Sequence, residues 1–176
     1  MTRTRWWLSL LIGAASIARA QGATTPEARL KAAGVELPAA PKAMANYVPA
    51  VRTGNLVYLA GQGPIIDGKP VMTGKVGAEV SEEDGYKAAR IAILNALAAL
   101  RAEIGSLDRV RRVVKVTGWV NSAPGFTRQS LVMNGASDLL VQAFGEAGRH
   151  ARTSVSANEL PFNIPVEIEL IVEVNP

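Results

Sequence analysis

The stretch from Val166 to Val174 constrains the fold more than any other part of this chain. Val166, Ile168, Leu170, Val172 and Val174 fall on one side of an extended backbone, and Glu167, Glu169, Ile171 and Glu173 on the other. Side chains alternate with a period of two along a strand and of 3.6 along a helix, so the pattern reads as a strand. One face must be covered by apolar partners, while the other carries carboxylates. A slip of one residue would turn five aliphatic side chains into water, so this segment also pins the register of its sheet.

The partners can be read upstream. Tyr47 to Arg52 and Leu56 to Ala60 form a hairpin around Thr53-Gly54-Asn55. Asp67-Gly68 marks a turn, and a short strand is expected over Val71 to Thr73. Ser81-Glu82-Glu83-Asp84 resembles a capping box and opens a long helix to Ile104, with Gly105 as its stop. Ile93, Leu97, Leu100 and Ile104 share one face of it. Val110 to Val120 is a strand, with Val114, Val116, Gly118 and Val120 expected on one side and Lys115, Thr117, Trp119 and Asn121 on the other. A second helix is expected over Leu131 to Glu146, with Leu139, Leu140, Ala143 and Phe144 as its stripe. Near the start, Thr25 caps a short helix that begins at Pro26 and closes at Gly34. The order predicts an α+β fold, with two main helices on one face of a mixed β-sheet.

Residues 1–20 read as a secretory signal peptide: a basic start at Arg3 and Arg5, an uncharged apolar run from Trp6 to Ala18, and a small-residue cleavage site at Ala18-Arg19-Ala20. The run is 13 residues, against the roughly 20 that a spanning helix needs. The expectation is cleavage after Ala20 and a periplasmic or secreted protein that keeps no membrane contact. Loss of Arg3, Arg5 and Arg19 leaves 16 basic against 15 acidic residues, a net of +1 in place of +4. A near-neutral mature chain is a poor match to nucleic acid. Absence of cysteine rules out disulfides and thiolate chemistry, and the single His150 leaves little for a histidine-based site. No cofactor is expected.

Two residues near the C-terminus stand out chemically. Arg152 carries a permanent charge shaped to grip a carboxylate through two parallel hydrogen bonds. Glu167, read as lying on a neighbouring strand, can handle protons. Each has a plainer reading: Arg152 as a surface or interfacial ion pair, Glu167 as a solvated strand residue like Glu169 and Glu173. The alternation alone does not separate the three glutamates.

Several stretches in order along the chain carry a resemblance: Asn46-Tyr47-Val48, Leu59-Ala60-Gly61-Gln62-Gly63-Pro64, Asn134, Ala151-Arg152-Thr153-Ser154-Val155, Leu160-Pro161 and Val166-Glu167-Ile168-Glu169. From about Leu30 to Val174 the chain resembles the RidA/YjgF family of reactive-imine deaminases, in the branch called chorismate mutase-like or endoribonuclease L-PSP. The separation of Arg152 and Glu167 is the one the family's deaminases show.

The resemblance implies a RidA-like domain over 45–176, preceded by a helix and linker over 21–44, and a homotrimeric barrel with pockets between subunits. It implies that Arg152 holds a substrate carboxylate and that Glu167 orients or activates water. Tyr47 and Asn134 would line the pocket, and the backbone at Gly61 and Ser154 would border it. The implied reaction is hydrolysis of a 2-imino or enamine acid to a 2-keto acid and ammonia, without a cofactor. The chain departs from the family at Ala60, where a serine is common, and at Ser154, where a cysteine is. Two other readings stay open: a non-catalytic trimer that binds a small carboxylate or keto acid, and an endoribonuclease.

Overall fold

The computed structural model describes residues 25–43 and 45–176. The expected signal segment and its cleavage point after Ala20 lie outside the described residues.

The C-terminal strand is the centre of the molecule, as its alternation requires. It runs Val166–Val174 (β7), and all five of its aliphatic inward residues are buried. Removing each from water contributes about 1.5–3 kcal/mol. On one side it pairs antiparallel with Leu56–Gln62 (β2), which pairs with Ala50–Thr53 (β1) through a tight turn at Gly54, φ +57°. On the other side it pairs antiparallel with Val110–Asn121 (β5), whose far edge takes Ala151–Ala157 (β6) in parallel. The sheet order is β1-β2-β7-β5-β6.

Two long helices cover one face. Glu82–Ile104 (α2) packs on β7 and β2, and Gln129–Phe144 (α3) packs on α2, β5 and β6. Ser81 caps α2 by accepting from the Asp84 amide at 3.0 Å, and Gly105 ends it at φ +86°. The expected faces of both helices are buried. The two cross closely because Gly135 carries no side chain: a Cβ there would come within 2.0 Å of the Tyr86 carbonyl oxygen. Pro26–Ala32 (α1), capped by Thr25, docks through buried Leu30. Glu27 Oε1 accepts from Ser106 Oγ and the Leu107 amide, and the Glu27 amide donates to Asp108. Among the described residues no helix covers the opposite face of the sheet.

Four expectations need correction. The first strand begins at Ala50, not Tyr47, since Pro49 has no amide to donate and disfavours regular pairing before it. The short strand at Val71–Thr73 is instead a hairpin of Ile65–Ile66 (β3) and Lys69–Pro70 (β4). Asp67 and Gly68 close it, both at positive φ as such a turn demands. In β5, Val113 rather than Val114 faces the core. Register shifts between Val110 and Arg112 and between Val113 and Lys115 each insert a residue and reverse the alternation. Helix α3 is set back by two residues at each end and runs into a 3₁₀ turn at Gly145–Gly148.

Candidate functional site

Glu167 points away from the helices, because its neighbours Val166 and Ile168 point toward them. It lies opposite Trp119 of β5, and its carboxylate rests directly on the backbone of Gly61. A Cβ on Gly61 would meet Glu167 Oε1 at 2.0 Å, so the carboxylate occupies the volume any other residue would need. No described residue donates a hydrogen bond to it. Burial, reinforced by the negative charge of Glu169, pushes its carboxyl above the ordinary glutamate range. A poorly solvated carboxylate of raised pKa is a stronger proton acceptor than an ordinary glutamate.

Glu167 and Gly61 form the floor of a cavity of about 570 Å³. Tyr47, 49% exposed, stands on its wall. The irregular end of β2 shapes the rim. Pairing with β7 shifts between Leu59 and Gln62, and the side-chain amide of buried Asn95 holds the chain beyond by donating to the carbonyls of Gly63 (2.9 Å) and Ile65 (2.8 Å). Ala60 faces a second, shallower hollow on the uncovered face, with Tyr58, Lys115, Thr117 and Glu169.

Arg152 lies elsewhere, contrary to the reading that put it on a strand next to Glu167. Strand β5 separates β6 from β7. Arg152 pairs with Val116, which is fully buried toward the helices, so Arg152 also points to the helix side. Glu167 points to the other. Within one chain the two side chains therefore sit on opposite faces of the sheet.

The guanidinium is held firmly. Arg152 Nη1 donates to Asn134 Oδ1 (3.0 Å) and Ser137 Oγ (2.9 Å), and Nη2 to the Ser130 carbonyl (3.2 Å). Those three bonds spend three of its five N–H groups and leave two for a ligand. Ser137 Oγ in turn lies 3.1 Å from His150 Nε2, while His150 Nδ1 lies 2.6 Å from the Gly148 carbonyl. A carbonyl only accepts, so Nδ1 carries a proton; in the neutral ring Nε2 then accepts from the Ser137 hydroxyl. Burial, with the nearby Arg152 charge, holds the His150 pKa below its usual value despite the Gly148 bond. That shift favours the neutral imidazole, in which Nε2 accepts from Ser137.

The structure thus sorts the expected site residues into two groups. Tyr47, Gly61 and Glu167 share the cavity. Arg152 and Asn134 form a separate cluster on α3 and β6, with Ser154 two residues further along the same side of β6. The Ser154 hydroxyl is buried without a hydrogen-bond partner among the described residues. Sequence reasoning missed Ser130, Ser137 and His150 as supports of Arg152. Their signal was present: Ser130, Asn134 and Ser137 recur at helical spacing and make a polar stripe on α3. Among the described residues no three His, Cys, Asp or Glu side chains converge as a metal site would need.

Comparison with known proteins bears on this arrangement. Residues 27–174 match the model of the family described as "YjgF/chorismate mutase-like, putative endoribonuclease". The chain is 46% identical over 149 residues to Protein TCP17 of Trypanosoma cruzi, covering 84% of this chain and 93% of that protein. It is 31% identical over 139 residues to a 2-iminobutanoate/2-iminopropanoate deaminase of Dermatophagoides farinae, covering 78% and 93%. Among solved structures it is similar to Atu1372 of Agrobacterium tumefaciens, a protein of unknown function. That match has a TM-score of 0.79 and 46% identity, over 85% of this chain and 92% of the other. The chain belongs to the YjgF/chorismate mutase-like family.

Proposed function

We propose that this protein hydrolyses 2-imino acids, or their enamine tautomers, to 2-keto acids and ammonia, in sites shared between copies of the chain in a homotrimer. The observation that carries the reading is Glu167, a carboxylate of raised pKa on the floor of a cavity. The similarity to a named iminobutanoate deaminase supports it. The opposed faces of Arg152 and Glu167 favour a shared site, since one chain does not offer both to one small molecule. The uncovered sheet face, with exposed Val51, Tyr58 and Val155, supports assembly.

Two free N–H groups of Arg152 take the substrate carboxylate as a bidentate pair. Glu167 of the adjoining copy accepts a proton from water as its oxygen adds to the C=N carbon. The carbinolamine nitrogen then takes that proton and leaves as ammonia, while the carbinolamine hydroxyl gives its own proton to Glu167 as C=O forms, and that proton passes to the ammonia. From the protonated imine, one water is consumed and one ammonium ion released. Residues of this chain supply binding, orientation and proton transfer.

The test is turnover of imino acids generated in situ by an amino-acid oxidase. Wild type accelerates keto-acid release, and Arg152→Ala and Glu167→Gln each lower it by at least about a hundredfold. Wild type without acceleration for any side chain sinks the proposal. The absence at position 60 of the serine that the resemblance leads one to expect favours a second reading as a carboxylate-binding trimer without turnover. Keto-acid binding that needs Arg152, with no catalysis, would uphold it. Ribonuclease chemistry fits less well, because the single imidazole is neutral and committed to Ser137 and Gly148.

A further inference from the structure

On a single chain, before an adjoining copy takes its share, the cavity over Glu167 is far larger than a three-carbon imino acid needs. Pockets of 300–1,000 Å³ typically hold drug-sized ligands, and this one is about 570 Å³. Its extra volume is apolar. The strap from Pro38 to Ala43 lines it together with Ile65, Phe162 and Ile164. Apart from Glu167 and Tyr47, the polar side chains on its surface are spent or turned to water. The Asn95 amide is committed to Gly63 and Ile65, and Gln62 donates to the Ala60 carbonyl. Lys42 and Asp67 are both solvent-exposed.

Two features show that these walls are built. The strap is short and stiffened by two prolines, and α1, held by Glu27 to Ser106, Leu107 and Asp108, anchors its start. Phe162 and Asn163 both adopt left-handed backbone (φ +57° and +55°), a costly conformation for a bulky side chain. The turn is held open by a polar network. The Gly74 amide donates to the Asn163 carbonyl, and buried Asn121 donates to Asn163 Oδ1 and the Ile164 carbonyl. Lys75 Nζ donates to Asn121 Oδ1 and to the Asn158 carbonyl. The result is a large aromatic, 59% exposed, presented to an apolar cavity.

We infer that this cavity is a side-chain subsite that selects 2-imino acids bearing large apolar side chains, of leucine to phenylalanine size, with Phe162 and the Pro38–Ala43 strap as its specificity determinants. The inference rests on the imine-hydrolysis reading and narrows its substrate class. The side chain lies between strap and Phe162, which places the imine carbon over the Glu167 carboxylate.

The test uses the full chain with imines made in situ from phenylalanine, leucine, alanine and aspartate. The expected kcat/KM for the phenylalanine-derived imine exceeds that for the alanine-derived one by about tenfold or more. Phe162→Ala, and Ala40→Trp, which fills the cavity, shrink that ratio to within about threefold. A wild-type preference for the alanine or aspartate imine, or a ratio that neither variant moves, overturns the inference while leaving deaminase activity intact. If no imine is turned over, the deaminase reading fails, and calorimetry with phenylpyruvate and pyruvate decides the subsite. Tighter phenylpyruvate binding that both variants weaken upholds it. Equal binding, or none, overturns it.

Discussion

At the scale of single residues, the contact between Gly61 and Glu167 makes the sharpest claim. Gly61 does not need unusual backbone angles; it needs the absence of a Cβ, because a carboxylate oxygen lies where that atom would be. Gly61→Ala should shift stability by less than about 1 kcal/mol, since the obstructing atom ends a flexible side chain. A displacement of about 1 Å at a reacting group can cost a hundredfold, so kcat should fall by that order with the melting temperature nearly unchanged. The raised pKa of Glu167 makes a second claim. A group whose folded pKa lies above its unfolded value contributes stability below the unfolded pKa and loses it as pH rises through the folded one. The melting temperature of Glu167→Gln relative to wild type should therefore climb as pH rises from the unfolded glutamate value of about 4.3 through the raised folded one. A pH-independent difference would show that Glu167 titrates normally. The open-face position of Glu167 was legible from the strand's alternation. Its distinction from Glu169 was not, because only the approach of Gly61 from β2 buries one of them and leaves the other wet.

At the scale of elements, the network around Asn121 holds the turn that presents Phe162. Removing its side chain leaves buried partners unpaired, at a cost of about 1–3 kcal/mol. Asn121→Ala should lower the urea midpoint accordingly and speed hydrogen exchange at the Gly74 amide, whose acceptor is Asn163. Elements with strong local punctuation were readable: Ser81 and Gly105 bound α2, and Thr25 with Pro26 starts α1. The bulges of β5 were not. An inserted residue such as Val114 is as apolar as its neighbours, and only the partner strand reveals that it has no opposite number. The neighbour of β6 was misread for a related reason. Parallel pairing is reached through a crossover helix, so β6 returns beside β5 and not beside the strand that follows it in sequence.

At the scale of the whole molecule, the sheet itself divides the site. Arg152 faces the helices and Glu167 the uncovered side, so the proposed centre would take one from each of two copies. Arg152→Ala and Glu167→Gln should each be nearly inactive alone. Unfolded together in equal amounts and refolded, they should recover about a quarter of wild-type activity, the share of random interfaces that pair two intact halves. A mixture as dead as its components would place both residues in one chain's site.

The opposed faces of Arg152 and Glu167 also bear on dosage. A catalyst whose halves sit on different molecules works only while those molecules stay together, so its specific activity depends on its own concentration. If the proposed shared site holds, the rate per mole of chain should collapse at high dilution with dissociation of the assembly. Abundance would then act as a threshold on the chemistry, with no effector and no modification of the protein.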